Sequence, residues 1–335
     1  MTRYVIIGAG AIGAHLAAQL SQAGLPAVLV ARGAQLEALR RGPLTLRKAG
    51  GEERVSVAVA ADAAEAALTA DDVLVLAVKS QDAEAVLASW AWQALAEGDG
   101  VAADLPIAVL QNGVATEDAA LRRFARVLSV ATVVPVAALE PGVVIPYAGS
   151  GTGYLQLGAV EGRQQRDAEL VAAVAADLER AGYLVRVRQD MRRRKQEKLL
   201  HNILNGVHVL AGGDADRARL SDGLVAEARA ALTAAGVDLD IPQDVEIGSA
   251  LGGQRPEPSP ERPPFKGSTW QSFAKGAPSE LDYLNGEIVL LGRRHGVPTP
   301  LNERLQRLLQ RSAAAGEGPG THDVAEVLDL VAVDR

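Results

Sequence analysis

The chain contains no cysteine, which excludes disulfides and thiolate metal sites, though that absence alone leaves the compartment open. It also lacks a positive balance. With 34 Lys and Arg against 41 Asp and Glu the formal net charge is −7, so no overall positive field meets a polyphosphate backbone and nucleic acid is not an expected partner. Long hydrophobic runs are missing too. The most apolar stretch, "VLSVATVVPVAAL" from Val127, is interrupted by Ser129, Thr132 and Pro135, and it is too short to span a bilayer. The opening "MTRYVIIGAG" enters a strand-like segment at once, without a signal-peptide region or small-residue cleavage site, so a cytoplasmic location with no membrane association is expected.

What is present is a globular composition, 48% hydrophobic and 22% charged over 335 residues, long enough for two cores. The first half alternates β-branched runs ("RYVIIG", "PAVLVAR", "DVLVLAVK", "PIAVLQN", "RVLSVATVV") with alanine-rich stretches. That alternation predicts a parallel sheet covered by helices, with helices over Ala11–Ala23, Gln81–Ala96 and Glu117–Phe124. Gly24 is placed to end the first of them. "LTLRKAGGEERVSVAV" reads as a hairpin around Gly50 and Gly51, and "GVVIPYAGSGTGYLQLG" as a second antiparallel excursion. A helix near Arg166–Arg180 and a last strand, "YLVRVRQD", follow. From Met191 onward the periodicity is helical, with Leu281, Leu284, Ile288 and Leu291 at one helical spacing and Leu301, Leu305 and Leu308 at another. The domains are therefore expected over 1–189 and 190–335. "GGQRPEPSPERPP", with five prolines, reads as a surface connection.

"VIIGAGAIGAHLAAQL" sets G-x-G-x-x-G directly after a strand and at the opening of a helix. Gly8 allows the tight turn, Gly10 lets a pyrophosphate approach the backbone, and Gly13 lets the helix pack on the strand, with the backbone of Ala11 and Ile12 at the helix start. Glycine-rich turns also serve plain packing, but strand, turn and helix agree here. An NAD-selective site carries a carboxylate ~20 positions past the glycines. This chain offers "VLVARG" instead, and the fork of Arg32 suits a 2′-phosphate unless it is only a solvated loop residue. The expected cofactor is NADPH. Lys79 and Asn112 end two further strands, where an open α/β sheet binds its ligand. A solvated strand end and an Asn-Gly turn are the plain alternatives.

"EKLLHNILNG" threads polar residues through an apolar helix. At about 100° per residue, Asn202 lies about 40° from Lys198 and Asn205 about 20° on its other side. The three share one stripe. A solvated face would favour long charged residues over two asparagines, which are poor helix formers, so a stripe facing a cleft is the better reading. Ser268 and Gln271 have capping-box spacing. Ser279 reads as a helix cap, with Glu280 in the first turn.

Together these residues resemble the ketopantoate reductase family of NADPH-dependent 2-dehydropantoate 2-reductases. "GAGAIG", "AVKSQD", "LQNG", "EKLLHN", "STWQS", "SELDYLNGEIV" and "HGVPTP" stand in order along nearly the whole chain. The resemblance implies an α/β Rossmann-type parallel sheet domain followed by an all-α helical domain that carries substrate contacts and, in a homodimer, the dimerisation contacts. It implies Lys198 as the catalytic lysine with Glu280 working beside it, and Asn202 and Ser268 on the substrate. Lys79 and Asn112 would lie near the nicotinamide and substrate, and Arg32 at the NADPH-selecting position. The implied reaction is reduction of ketopantoate to pantoate, as in pantothenate biosynthesis. Hydride would go to the carbonyl carbon of the 2-oxo acid and Lys198 would donate a proton to the developing alkoxide. No metal is expected, since no ligand spacing such as H-E-x-x-H occurs.

The chain departs from the family pattern twice. Where the family has a second asparagine, eight residues after the lysine, stands Gly206, with Asn205 one position early. Ser272 replaces a frequent aspartate. Both lie on the substrate side and keep open a reductase of another branched 2-oxo acid or an opine-type dehydrogenase. A non-catalytic NADP(H)-binding sensor is the reading from a different class.

Overall fold

The computed structural model describes residues 2–147, 152–239 and 266–329; the proline-rich "GGQRPEPSPERPP" lies outside them. By its contacts the described chain divides into two compact units, one of residues 2–111, 115–147 and 152–192, the other of residues 112–114, 193–239 and 266–329.

The first unit opens β1 (Arg3–Ile7), α1 (Ala11–Gln22), β2 (Ala27–Val30), α2 (Gly33–Arg41), β3 (Leu44–Lys48), β4 (Gly51–Val55), β5 (Ala58–Ala60), α3 (Ala63–Ala66), β6 (Asp72–Leu76) and α4 (Ser80–Trp90). It continues with β7 (Ile107–Val109), α5 (Thr116–Leu121), β8 (Val127–Val133), β9 (Val136–Ala137), β10 (Val143–Pro146), β11 (Tyr154–Ala159), α6 (Ala168–Arg180) and β12 (Leu184–Val187). Eight strands form one sheet in the order β12-β11-β8-β7-β6-β1-β2-β5. All its pairs are parallel except β11 with β8. Along β1 alternate side chains enter different cores: Tyr4 and Ile6 pack with α1 and α6 residues such as Leu16 and Leu178. Val5 and Ile7 pack with Leu87 of α4 and Phe124. The strand is hydrophobic at nearly every position because both faces are covered, and each aliphatic side chain so buried contributes about 1.5–3 kcal/mol. The chain runs from β1 outward to β2 and β5 and returns to β6 on the other side of β1, so the sheet reverses direction between β1 and β6.

Several expectations change. The Gly50–Gly51 hairpin forms, β3 with β4, but "VAV" leaves it as β5 and extends the large sheet beside β2. The second excursion is antiparallel but divides between two sheets: β10 pairs antiparallel with β9 and parallel with β3 in a four-stranded sheet, while β11 lies in the large one, antiparallel to β8 and beside β12. Helix α4 stops at Trp90 rather than Ala96. Leu95 N–H donates to Gly100 O (2.9 Å) and Gly98 takes φ +81°, so the glycines of "EGDG" draw the chain into a turn.

The second unit holds α7 (Met191–Asn202, entering at Arg193), a 3-10 segment Ile203–Val209, α8 (Asp214–Ala234), α9 (Ser268–Ala274), a 3-10 turn Leu281–Tyr283, α10 (Asn285–His295), α11 (Pro300–Ala314) and α12 (Ala325–Leu328). Among the described residues it contains no strand. Leu199, Ile203, Leu224, Leu281, Ile288 and Leu305 share its core. Within that core Asn285 donates to Ile203 O (3.1 Å) and Asn302 Oδ1 (3.0 Å). The Glu227 carboxylate accepts the N–H groups of Leu301 (2.8 Å) and Asn302 (3.0 Å) at the start of α11, where the helix dipole favours negative charge. The expected single helix through Leu281 and Leu284 is interrupted between Tyr283 and Asn285. Among the described residues no helix is long and apolar enough to cross a membrane, and no cluster of three His, Asp or Glu side chains could hold a metal.

Candidate active site

The turn "GAGAIG" stands at the carboxyl end of β1, beside the reversal point where open α/β sheets bind ligands. Gly8 takes φ +116°, and a Cβ on it would lie 2.8 Å from the backbone nitrogen of Val78. A Cβ on Gly13 would lie 2.0 Å from Gly8 O. Both glycines are therefore required by the protein's own packing. Gly10 is different. A Cβ there would meet nothing within 4 Å, its φ of −74° suits any residue, and it caps α1 without a side-chain acceptor. Neither packing nor backbone explains that glycine, whereas close approach of a phosphate to the amide groups of Ala11 and Ile12 does. The residues present thus fit a dinucleotide.

Arg32 follows β2 as the N-terminal cap residue of α2, 84% exposed, with its guanidinium 3.7 Å from Asp82. An exposed pair that long holds the side chain weakly. Lys79, half-buried, is the cap residue of α4. Between it and β7 the Gln111 amide donates to Leu76 O (3.0 Å) and Val78 O (2.7 Å), fixing the ends of β6 and β7 in one place.

In the helical unit Lys198 is 9% exposed and donates a 2.6 Å hydrogen bond to the side-chain oxygen of Asn112. Burial first and then the charge of Lys195 push its ammonium down, Glu280, itself buried, opposes both, and the net value is about 7. One turn on, the Asn202 amide nitrogen is buried with no hydrogen-bond partner among the described residues, a donor that a ligand oxygen would satisfy. Lys198 is thus held by Asn112 through a hydrogen bond and by Glu280 through charge, and Asn202 follows on the lysine's helix.

Asn205 does not stand where α-helical spacing puts it. The α-helix ends at Asn202 and the chain continues as 3-10. In that winding residues three apart eclipse, so Asn205 stands directly beyond Asn202, not about 20° to the other side of Lys198. Its oxygen would lie 3.1 Å from a Cβ on Gly267, next to half-buried Ser268. Gly206 turns the other way: a Cβ there would meet Leu305, Leu309 and Leu281 at 3.1–3.3 Å. The capping readings also change. Gly267 caps α9, and the Gln271 amide donates to Lys266 O (2.9 Å) rather than closing a box with Ser268. Glu280, not Ser279, occupies the cap position of its 3-10 turn.

Residues 4–162 match the family described as "Ketopantoate reductase PanE/ApbA", and residues 190–313 match its C-terminal counterpart. The chain belongs to the ketopantoate reductase family. It is 30% identical to the 2-dehydropantoate 2-reductase of Mesorhizobium japonicum over 93% of this chain and 98% of that one. To the Archaeoglobus fulgidus protein of the same name it is 28% identical, over 92% and 97%. The crystal structure of a PanE/ApbA family ketopantoate reductase from Ralstonia eutropha JMP134 superposes with a TM-score of 0.73 at 25% identity, covering 93% of this chain and 99% of that one.

As a ketopantoate reductase family member the chain is an oxidoreductase with a Rossmann-type first unit and a helical second one. Ser272, at the family's frequent aspartate, is buried and turns its hydroxyl to Ser268 O (3.0 Å). The sequence reading missed Lys195, which shares the helix face of Lys198, although three-residue spacing within "KQEK" marks it. It also missed Gln111 and Asn285, whose partners lie far off along the chain.

Proposed function

We propose that the protein reduces 2-dehydropantoate to pantoate with NADPH. The observation that carries this reading is Lys198: a buried lysine held to Asn112 at 2.6 Å, with its proton affinity brought down to about 7, on a chain of the ketopantoate reductase family. The turn Gly8, Gly10, Ala11, Ile12 and Gly13 would hold the cofactor's pyrophosphate, Arg32 its 2′-phosphate, and Lys79 and Asn112 its nicotinamide side. NADPH, once bound, supplies the hydride. Lys198 as ammonium hydrogen-bonds the keto oxygen and gives it a proton as the carbonyl carbon is reduced, which needs a donor whose affinity lies near the working pH. Glu280 keeps the lysine from losing its proton before substrate arrives. Asn202, Asn205 and Ser268 are neutral donors suited to the substrate's hydroxyl and carboxylate.

Purified protein should oxidise NADPH at 340 nm with ketopantoate, and Lys198→Ala should lose turnover while still binding NADPH. Full turnover in that variant would remove the lysine from the mechanism. Gly206 and Ser272 favour, as second reading, the same chemistry on another branched 2-oxo acid. A panel of 2-oxo acids ranked by kcat/KM decides between the two.

A further inference from the structure

Helix α7 buries a second lysine, Lys195, one turn before Lys198. It is 2% exposed, and its three-residue spacing sets it on the same helix face, with Cβ atoms about 5–6 Å apart in that geometry. Two buried ammonium groups at such a distance are a poor way to fill a core, since each must be desolvated and each repels the other. Packing alone would be served by leucine or methionine. We propose that Lys195 is a positioning residue for the reaction, a built-in like charge that governs how readily Lys198 releases its proton. The inference rests on the reading of Lys198 as proton donor.

The charges around Lys198 can be named. From its own helix come Arg194, Lys195 and Glu197. The buried Glu197 carboxylate lies 3.3 Å from Arg193 and 3.7 Å from Arg194, so the cation four residues before Lys198 has a carboxylate within reach. Glu280, from the start of the Leu281–Tyr283 turn, is the carboxylate that acts on Lys198 itself. Lys195 opposes it from one turn away. The balance of those two, added to burial, puts Lys198 where a small electrostatic change moves it across neutral pH. Without Lys195, Glu280 would hold the proton more firmly.

The test measures Lys198 directly in cofactor-free protein, from the rate of its acetylation by acetic anhydride against pH, read by mass spectrometry of the peptide that contains it. Lys195→Met, which removes the charge and keeps the stem, is expected to raise the midpoint by about one pH unit. The falling limb of the kcat/KM profile should move with it, while Lys195→Arg leaves both in place. Lys195→Gln carries the same test if Lys195→Met does not accumulate as folded protein. An unchanged midpoint in a folded, charge-removed variant overturns the inference, as does an equal shift in Lys195→Arg, which would mark a packing effect. Failure of the underlying reading has a separate signature, undiminished turnover in Lys198→Ala.

Discussion

The ammonium of Lys198 donates to the side-chain oxygen of Asn112 over 2.6 Å, and the two residues belong to one compact unit although Asn112 follows strand β7 of the other closely in sequence. A buried cation needs such an acceptor, and a proton donor needs an orienting contact. Lys198→Met should lower kcat/KM with ketopantoate by roughly 10²–10⁴-fold, the usual contribution of a positioned acid. Because the donor must be protonated and its affinity lies at about 7, wild-type kcat/KM should fall as pH rises through that value. A profile flat from pH 6 to 9 would contradict it.

The two glycine roles can be separated by a single methyl group. Gly13→Ala forces a Cβ to 2.0 Å from Gly8 O and should destabilise the first unit by about 3 kcal/mol, the upper range for overpacking. Gly10→Ala meets nothing in the protein, so melting should change by less than about 1 kcal/mol. NADPH affinity, followed by fluorescence titration, should nevertheless fall at least about tenfold, or about 1.4 kcal/mol. Unchanged affinity in Gly10→Ala would show that the cofactor approaches elsewhere.

These glycines were legible because turn, strand and helix each leave a short-range mark, and β1 was legible because burial on both faces leaves Val5, Ile6 and Ile7 as an unbroken apolar run after Arg3 and Tyr4. The end of α7 was not. Asn285, 82 positions on, gives its amide to Ile203 O at the junction of α-helix and 3-10 segment, and no local rule couples those residues. The cap at Ser279 failed for a related reason: Glu280 after it stands at helical spacing from Leu284 and Ile288, but the chain makes a separate 3-10 turn first. Strand β5, three residues long, carries too little pattern to be assigned until β2 is seen to lack a neighbour.

Lys198 also has a cost to folding whose sign can be worked out. Its folded value, about 7, lies below the ordinary 10.5, so between those values the unfolded chain binds more protons than the native one. Stability therefore rises with pH across that window, and the penalty is fully present below about 7. Lys198→Met removes the penalty. The variant should gain in melting temperature over wild type at pH 6 and lose most of that gain by pH 10, measured in matched ionic strength. A gain that grows with pH would contradict the assignment.

Arg32 is the residue on which cofactor choice should turn. Exposed, and no closer than 3.7 Å to its carboxylate neighbour Asp82, it is available to a 2′-phosphate, and a charge-assisted hydrogen bond contributes about 1.5–3 kcal/mol. Arg32→Ser should weaken NADPH by roughly ten- to a hundredfold and leave NADH nearly unchanged, so the ratio of the two kcat/KM values is the measurement. Parallel losses for both cofactors would assign Arg32 to the adenine or to the loop instead.

Asn205 and Gly206 test whether the tightened helix replaces the family's asparagine. Three 3-10 residues rise about 6 Å, the same as four α-helical ones, so Asn205 reaches the height that an α-helical residue 206 would have. It does so while Gly206 faces Leu281, Leu305 and Leu309. Restoring the family residue by Gly206→Asn should therefore fail: an amide pressed among leucines is both crowded and unsatisfied, and about 2–4 kcal/mol of stability should be lost. Asn205→Ala should instead leave melting nearly unchanged and raise KM for ketopantoate about tenfold, as for one lost hydrogen bond. If Gly206→Asn proved stable and Asn205→Ala kinetically silent, the helix would be α-like there in solution and the substrate would be held without this residue.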